Sequence, residues 1–218
     1  MGKGPIRQGE NEVIIMSVNR EFPKDFQECV RFHGHVCPGL AIGYAAAKAA
    51  ERFLGIDRAG DEEVVAVVEN DSCAVDAVQV VLGCTFGKGN LVFRDWGKQV
   101  FTFMDRKAGR AVRVSFVGPV PGRDERHALK EKLEAGQASP SDTEKLREVT
   151  NRAVEDLIGR DPALYFQIRE VRVQIPPCAS IVQTRPCDIC GEATVTTRLV
   201  DRDDRLVCKS CASEVERA

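Results

Sequence analysis

Charge of one sign is missing from this chain. Lys and Arg number 31 against 33 Asp and Glu, the signs are intermixed, and the formal net charge is −2. No global field therefore draws the protein onto nucleic acid or an anionic membrane. Long apolar runs are missing too. The longest, such as Val64 to Val68 and Ala45 to Ala50, fall far short of the roughly 20 residues needed to span a bilayer. The start of the chain has no apolar segment followed by a small-residue cleavage site, so the expected location is cytoplasmic, with no membrane partner. There is no internal repeat and no low-complexity tract. The Phe86, Gly87, Lys88, Gly89 segment lacks the spacing and the Lys-Ser/Thr ending of a phosphate loop and reads as a tight turn.

What the chain does have is cysteine. Nine in a protein with no export signal point to metal before disulfides, because a reducing compartment keeps thiols free. Four of them, Cys187, Cys190, Cys208 and Cys211, make two C-x-x-C pairs seventeen residues apart. That is zinc-site spacing: two sulfurs three positions apart reach one tetrahedral ion if the backbone turns sharply, and Gly191 permits the turn. Four thiolates fill the shell, so this site is expected to be structural. Between the pairs, Ala193 to Val200 alternates like a strand, Asp203 and Asp204 suit a hairpin turn, and Cys208 to Val215 can open a helix. Knuckle, hairpin and helix make a treble-clef finger. From residue 187 to 218 there are five basic against seven acidic residues, so the finger lacks the surplus that phosphate contacts require and nucleic acid is not the expected partner.

A second constellation lies upstream. His33, His35 and Cys37 fall within five residues around Gly34, and Cys73 follows at a distance. Imidazole and thiolate suit zinc and other late transition metals, and a zinc site that does chemistry leaves a position open. Cys37 precedes a helix beginning at Pro38, and Cys73 opens another after Asn70, Asp71 and Ser72, so helix dipoles are expected to lower both thiol pKa values. Asp71, Asp76 and Gln79 are candidate supporting groups. The bland alternative is histidines bonded to carbonyls and cysteines packed as small core residues. No spacing proves that residues 33 to 37 meet residue 73. Cys29, Cys84 and Cys178 read as core or incidental, and His127 as a surface residue.

Periodicity places helices from Pro23 to before Gly34, from Pro38 to about Leu54 with Gly55 closing it, from Cys73 to Cys84, and twice between 123 and 158. In the last two, Leu129 and Leu133, then Leu146, Val149, Ala153 and Leu157, mark the inward faces. The second helix is thin, rich in Ala and Gly, and suits either close packing on a sheet or a homodimer contact. Val64 to Val68 reads as a buried strand; 90–95, 99–105 and 111–117 read as an antiparallel meander; 166–175 is the last strand before Pro176 and Pro177. The expected architecture is α+β: an antiparallel or mixed sheet core with helices, plus a small C-terminal treble-clef zinc finger. The expected divisions are an N-terminal arm (1–21), with a short strand or packing segment at Val13 to Met16, a core (22–178) and the finger (179–218).

The run FHGHVCPGLAIG from Phe32 to Gly43, NDSCAVDAVQ from Asn70 to Gln79, GCTFGKGNL from Gly83 to Leu91, and FTF from Phe101 to Phe103 resemble the E-subunit family of formylmethanofuran dehydrogenase. The likeness covers roughly residues 22 to 118 and, with the finger, most of the chain. The resemblance implies an α+β core joined to a treble-clef finger, a homodimer, and association with one-carbon redox metabolism involving molybdenum or tungsten enzymes. It carries the finger role to Cys187, Cys190, Cys208 and Cys211, and the core signature to His33, His35, Cys37 and Cys73. The expected cofactors are a structural zinc and a second metal of unassigned identity. Nothing resembles a pterin or iron–sulfur sequence. Two function classes follow: a zinc-binding accessory protein, and a metal-assisted enzyme on a small one-carbon or acyl substrate, with His33 or His35 as ligand or base and Cys37 or Cys73 as ligand or nucleophile. A zinc-finger regulator of nucleic acid ranks third.

Overall fold

The computed structural model describes residues 22–213. The chain separates into two compact units, residues 1–178 and 179–218. The expected arm, including Val13 to Met16, lies outside the described residues.

The first unit is α+β. Its first two helices, α1 (Lys24–His33) and α2 (Pro38–Leu54), follow local rules. Gly34 closes α1 with φ +97° and Gly55 closes α2 with φ +69°, a left-handed geometry that glycine adopts without a Cβ clash. Pro38 sits in the first turn of α2, where its missing N–H costs nothing. Then come β1 (Val64–Val68), α3 (Ala74–Leu82), β2 (Leu91–Phe93), β3 (Val100–Asp105), β4 (Arg110–Phe116), α4 (Arg123–Glu134), α5 (Pro140–Gly159) and β5 (Phe166–Val171).

The five strands form one mixed sheet in the order β2-β1-β3-β4-β5. Every residue of β1 is buried, because the two faces of the sheet are both covered. Val64, Ala66 and Val68 join Phe101, Phe103, Val112 and Val114 in the main core, while Val65 and Val67 meet Met104 and Ala111 on the other face. The thin surface of α2 is used within the chain. A Cβ on Gly43 would stand 2.0 Å from the carbonyl oxygen of Ala74, so only glycine lets α3 come this close.

Four expectations change. β2 does not belong to a meander: it pairs in parallel with β1, across the α3 crossover, and lies on the side opposite β3. The segment after β2 passes the end of β1, held by Lys98 N–H donating to the Glu69 carbonyl at 2.8 Å and by Asn70 Nδ2 donating to the Lys98 carbonyl at 2.8 Å. The third helix is shorter than 73–84, and the last strand ends at Val171, before Ile175. On α4 only Leu129 is buried, whereas Leu133 is 42% exposed.

In the second unit, β6 (Thr184–Pro186) pairs with β7 (Ala193–Val195) and β8 (Leu199–Arg202) with β9 (Arg205–Cys208), followed by the short α6 (Lys209–Ala212). Asp203 and Asp204 have φ of +52° and +60°, as a two-residue hairpin turn matched to strand twist requires. The expected single strand from 193 to 200 is interrupted by a 3-10 turn at Thr196–Arg198, which sends its halves into two different ribbons. The helix expected to reach Val215 is described only to Ala212; residues 214–218 lie outside the described part.

Candidate metal centre

The turn between α1 and α2 gathers His33, His35 and Cys37. His33 is the last residue of α1, Cys37 is the N-cap of α2, and Gly34 reverses the chain between them. One ligand atom from each of the three lies within 4.8 Å of the other two. His33 Nε2 stands 3.8 Å from Cys37 Sγ. Two such ligands on one tetrahedral zinc would be about 3.6 Å apart, from bond lengths of about 2.05 and 2.3 Å. The three donors are therefore spaced as ligands of a single late transition metal ion would be, one short of a tetrahedral set.

Support comes from α3. His33 Nδ1 lies 2.7 Å from Asp76 Oδ2, and Gln79 Nε2 donates to Asp76 Oδ1 at 3.4 Å. A carboxylate there takes the Nδ1 proton as partner and leaves the Nε2 lone pair facing Cys37, the tautomer that a metal needs. Asp76 and Gln79 thus take the supporting position, while Asp71 lines an adjoining cavity of about 470 Å³ together with His33, Cys73, Phe86 and Phe93. Cys73 adjoins Cys37 across Gly39: a Cβ on that glycine would meet Cys73 Cβ at 3.1 Å, Cys73 Sγ at 3.7 Å and Cys37 Sγ at 3.8 Å. The mutually close trio, however, is His33, His35 and Cys37, and Cys73 stands beside it.

The expected lowering of the Cys37 thiol pKa does not occur. Burial drives it up; the Leu40 amide, which donates to Sγ at 3.3 Å, pulls it down; and Cys73 adds to the rise, leaving it at about 11. Desolvation of a thiolate outweighs the helix N-terminus here. A bound metal would take the proton's place. His35 is pulled below its usual range by burial and then by His33 and Lys130, so it is a neutral imidazole with a lone pair to offer.

Sequence reading placed the α4 helix but not its position beside the site. Cys37 acts electrostatically on Arg126, and Lys130 on His35, across some ninety residues of chain. A charged helix face carries no mark of which neighbour it meets.

The second group is Cys187, Cys190, Cys208 and Cys211, whose sulfurs also lie within 4.8 Å of one another. Cys190 Sγ and Cys208 Sγ are 3.9 Å apart, near the ~3.8 Å edge of a tetrahedron of sulfurs around zinc and far from a disulfide's ~2.05 Å. Gly191 has φ +74° and its N–H bonds to the Cys187 carbonyl at 2.9 Å, closing the knuckle. The amides of Cys190 and Cys208 point at Cys187, the latter at 3.2 Å, and bring its thiol down to about 6. This arrangement can hold a metal ion with no open position, and is compatible with a zinc finger. Cys29 and Cys84 are core residues, Cys178 is exposed, and His127 pairs with Glu131 on the surface.

The family model described as FmdE, Molybdenum formylmethanofuran dehydrogenase operon, matches residues 32–167. The chain belongs to the FmdE family. The matched residues of this FmdE-family chain include the core trio and α4, while the finger falls outside them. An Archaeoglobus fulgidus protein named "Probable S-adenosyl-L-methionine-binding protein" is 32% identical over 192 residues, covering 83% of this chain. The chain spans 50% of that relative's length. The crystal structure of an FmdE-like protein of the tungsten formylmethanofuran dehydrogenase type, from Syntrophus aciditrophicus, superimposes with a TM-score of 0.54 at 21% identity, over 88% of this chain and 95% of that one. That likeness is one of fold. Among the described residues no helix is long and apolar enough to cross a membrane.

Proposed function

We propose that this chain is a zinc-binding accessory protein of one-carbon redox metabolism, with a structural zinc on Cys187, Cys190, Cys208 and Cys211 and a second metal on His33, His35 and Cys37. The observation that carries it is the approach of His33 Nε2 to Cys37 Sγ with Asp76 fixed behind the imidazole. Incidental core histidines need no carboxylate aligned on the far nitrogen. When bound, the second ion would supply Lewis acidity at its free position. The chain's own residues orient the ring, keep His35 neutral and exclude water from the sulfur.

In the cell it would work in the cytoplasm as a homodimer, in company with a molybdenum or tungsten redox enzyme. The family description and the exposed Phe32, Phe86 and Phe93, apolar area that a partner would cover, support this assembly. A second reading, a metal-assisted enzyme acting on a small one-carbon or acyl substrate, is favoured by the cavity beside His33 and Cys73.

The test is elemental analysis and an anomalous-scattering map on protein purified without added metal. Two zinc-type sites per chain are expected, and His33→Ala should empty the core site alone. A folded finger with no metal would overturn the structural role, and a core trio that stays empty in excess zinc would overturn the second site. Light scattering reads the dimer.

A further inference from the structure

Beside the core trio, α4 leaves a cation unanswered. Arg126 is half-buried, and its guanidinium Nε and Nη1 are both shut off from solvent with no hydrogen-bond partner among the described residues. A guanidinium does not escape this by losing its proton, and unpaired buried charge is strongly unfavourable. Its electrostatic neighbours are Cys37, of opposite sign when ionised, and the like-charged Arg123. One turn further along the same helix, Lys130 acts on His35. Arg126 and Lys130, at spacing i, i+4, share one face of α4.

Charge counting sharpens the point. His33 and His35 bring no charge to a divalent ion, the Cys37 thiolate brings one negative charge, and Asp76 behind His33 supplies a second. A bound divalent ion would then be balanced, while the buried Arg126 nitrogens have no partner among the described residues. Two buried guanidinium nitrogens lacking acceptors among the described residues, near the loop that could hold a metal, describe half of an anion site.

We propose that Arg126 binds the anionic oxygen group of a small-molecule ligand, a carboxylate or phosphate, held against the His33, His35, Cys37 centre. The metal part of this assignment rests on the function proposed above; the arginine part does not. Such a ligand would place one oxygen toward the metal's free position and another on the guanidinium, with Lys130 adding longer-range attraction. Arg126 is a binding residue here, and no bond is made or broken by it.

Zinc-loaded protein is titrated calorimetrically with sodium acetate and, separately, with inorganic phosphate at low ionic strength, which distinguishes the planar from the tetrahedral anion. Saturable binding of one or both is expected, weakened about tenfold or more in Arg126→Gln and by less in Arg126→Lys, as loss of a charge-assisted hydrogen bond implies. The preferred anion should raise the melting temperature of the wild type and leave that of Arg126→Gln unmoved. Without anion, Arg126→Gln should melt no lower than the wild type, since it removes an unpaired cation. No saturable binding, or equal affinity in Arg126→Gln, overturns the proposal. Zinc content is measured on every sample and the titration is repeated on His33→Ala. Absence of a core metal with Arg126-dependent binding intact would count against the metal reading alone.

Discussion

His33 Nδ1 and Asp76 Oδ2 lie 2.7 Å apart, joining the last residue of α1 to the first turn of α3 across 43 positions of sequence. This contact sets which ring nitrogen faces Cys37. Replacing Asp76 with Asn removes the charge and frees the tautomer. Zinc affinity of the core site should fall about 10- to 100-fold, with the finger unaffected, as read by chelator competition.

The close approach of α2 and α3 hangs on one missing atom. Gly43→Ala places a methyl group 2.0 Å from the Ala74 carbonyl oxygen, and that obstacle is backbone, which cannot rotate away. Because α3 carries Asp76 and follows directly on Cys73, the helices must separate and the site must loosen with them. A loss of about 3 kcal/mol in urea denaturation is expected, together with weaker metal retention. Unchanged stability would show that the helices are not held at this distance.

Glu69, only 1% exposed at the end of β1, is held by both terminal nitrogens of Arg113 on β4, with Nη2 at 3.0 Å from Oε2. Removing the cation alone strands a buried carboxylate. Arg113→Met should cost about 3–5 kcal/mol, whereas the double change Arg113→Met with Glu69→Gln should recover a large part of it. Equilibrium unfolding of the four members of this cycle measures the coupling.

At α5 the Ser139 side chain accepts from the Asp142 amide while Asp142 Oδ2 accepts from Ser139 N–H at 2.9 Å. The Ser139 hydroxyl, then its amide, hold the Asp142 carboxyl at about 2, down from the ordinary 3.8. A lowered folded value means stabilisation present above the unfolded pKa and lost as pH falls through the folded one. The contribution should therefore disappear between about pH 4 and pH 2. Ser139→Ala should flatten this part of the stability profile, as followed by thermal melts across that range.

Much of the fold was legible locally. Pro38, Gly34 and Gly55 bound their helices because a missing N–H and a missing Cβ act within a single turn of chain. The finger was legible for the same reason: cysteine spacing and Gly191 express a ligand geometry over a few residues. β2 was misplaced because sequence neighbours commonly pair, and the short strand's true partner lies across a helix. The strand from 193 to 200 failed because alternation does not reveal where a ribbon must turn.

The amino-acid sequence by itself determined the α+β pattern, the four-cysteine group and the identity of His33, His35 and Cys37 as neighbours, since each is written in residue spacing along the chain. Tertiary structure alone decided that Asp76 stands behind His33, that Cys73 adjoins Cys37, and that the Cys37 thiol rises to about 11. Only it brought Arg126 to the same place. Burial and charge proximity are sums over everything packed nearby, and packing is a property of the folded chain, not of any window along it.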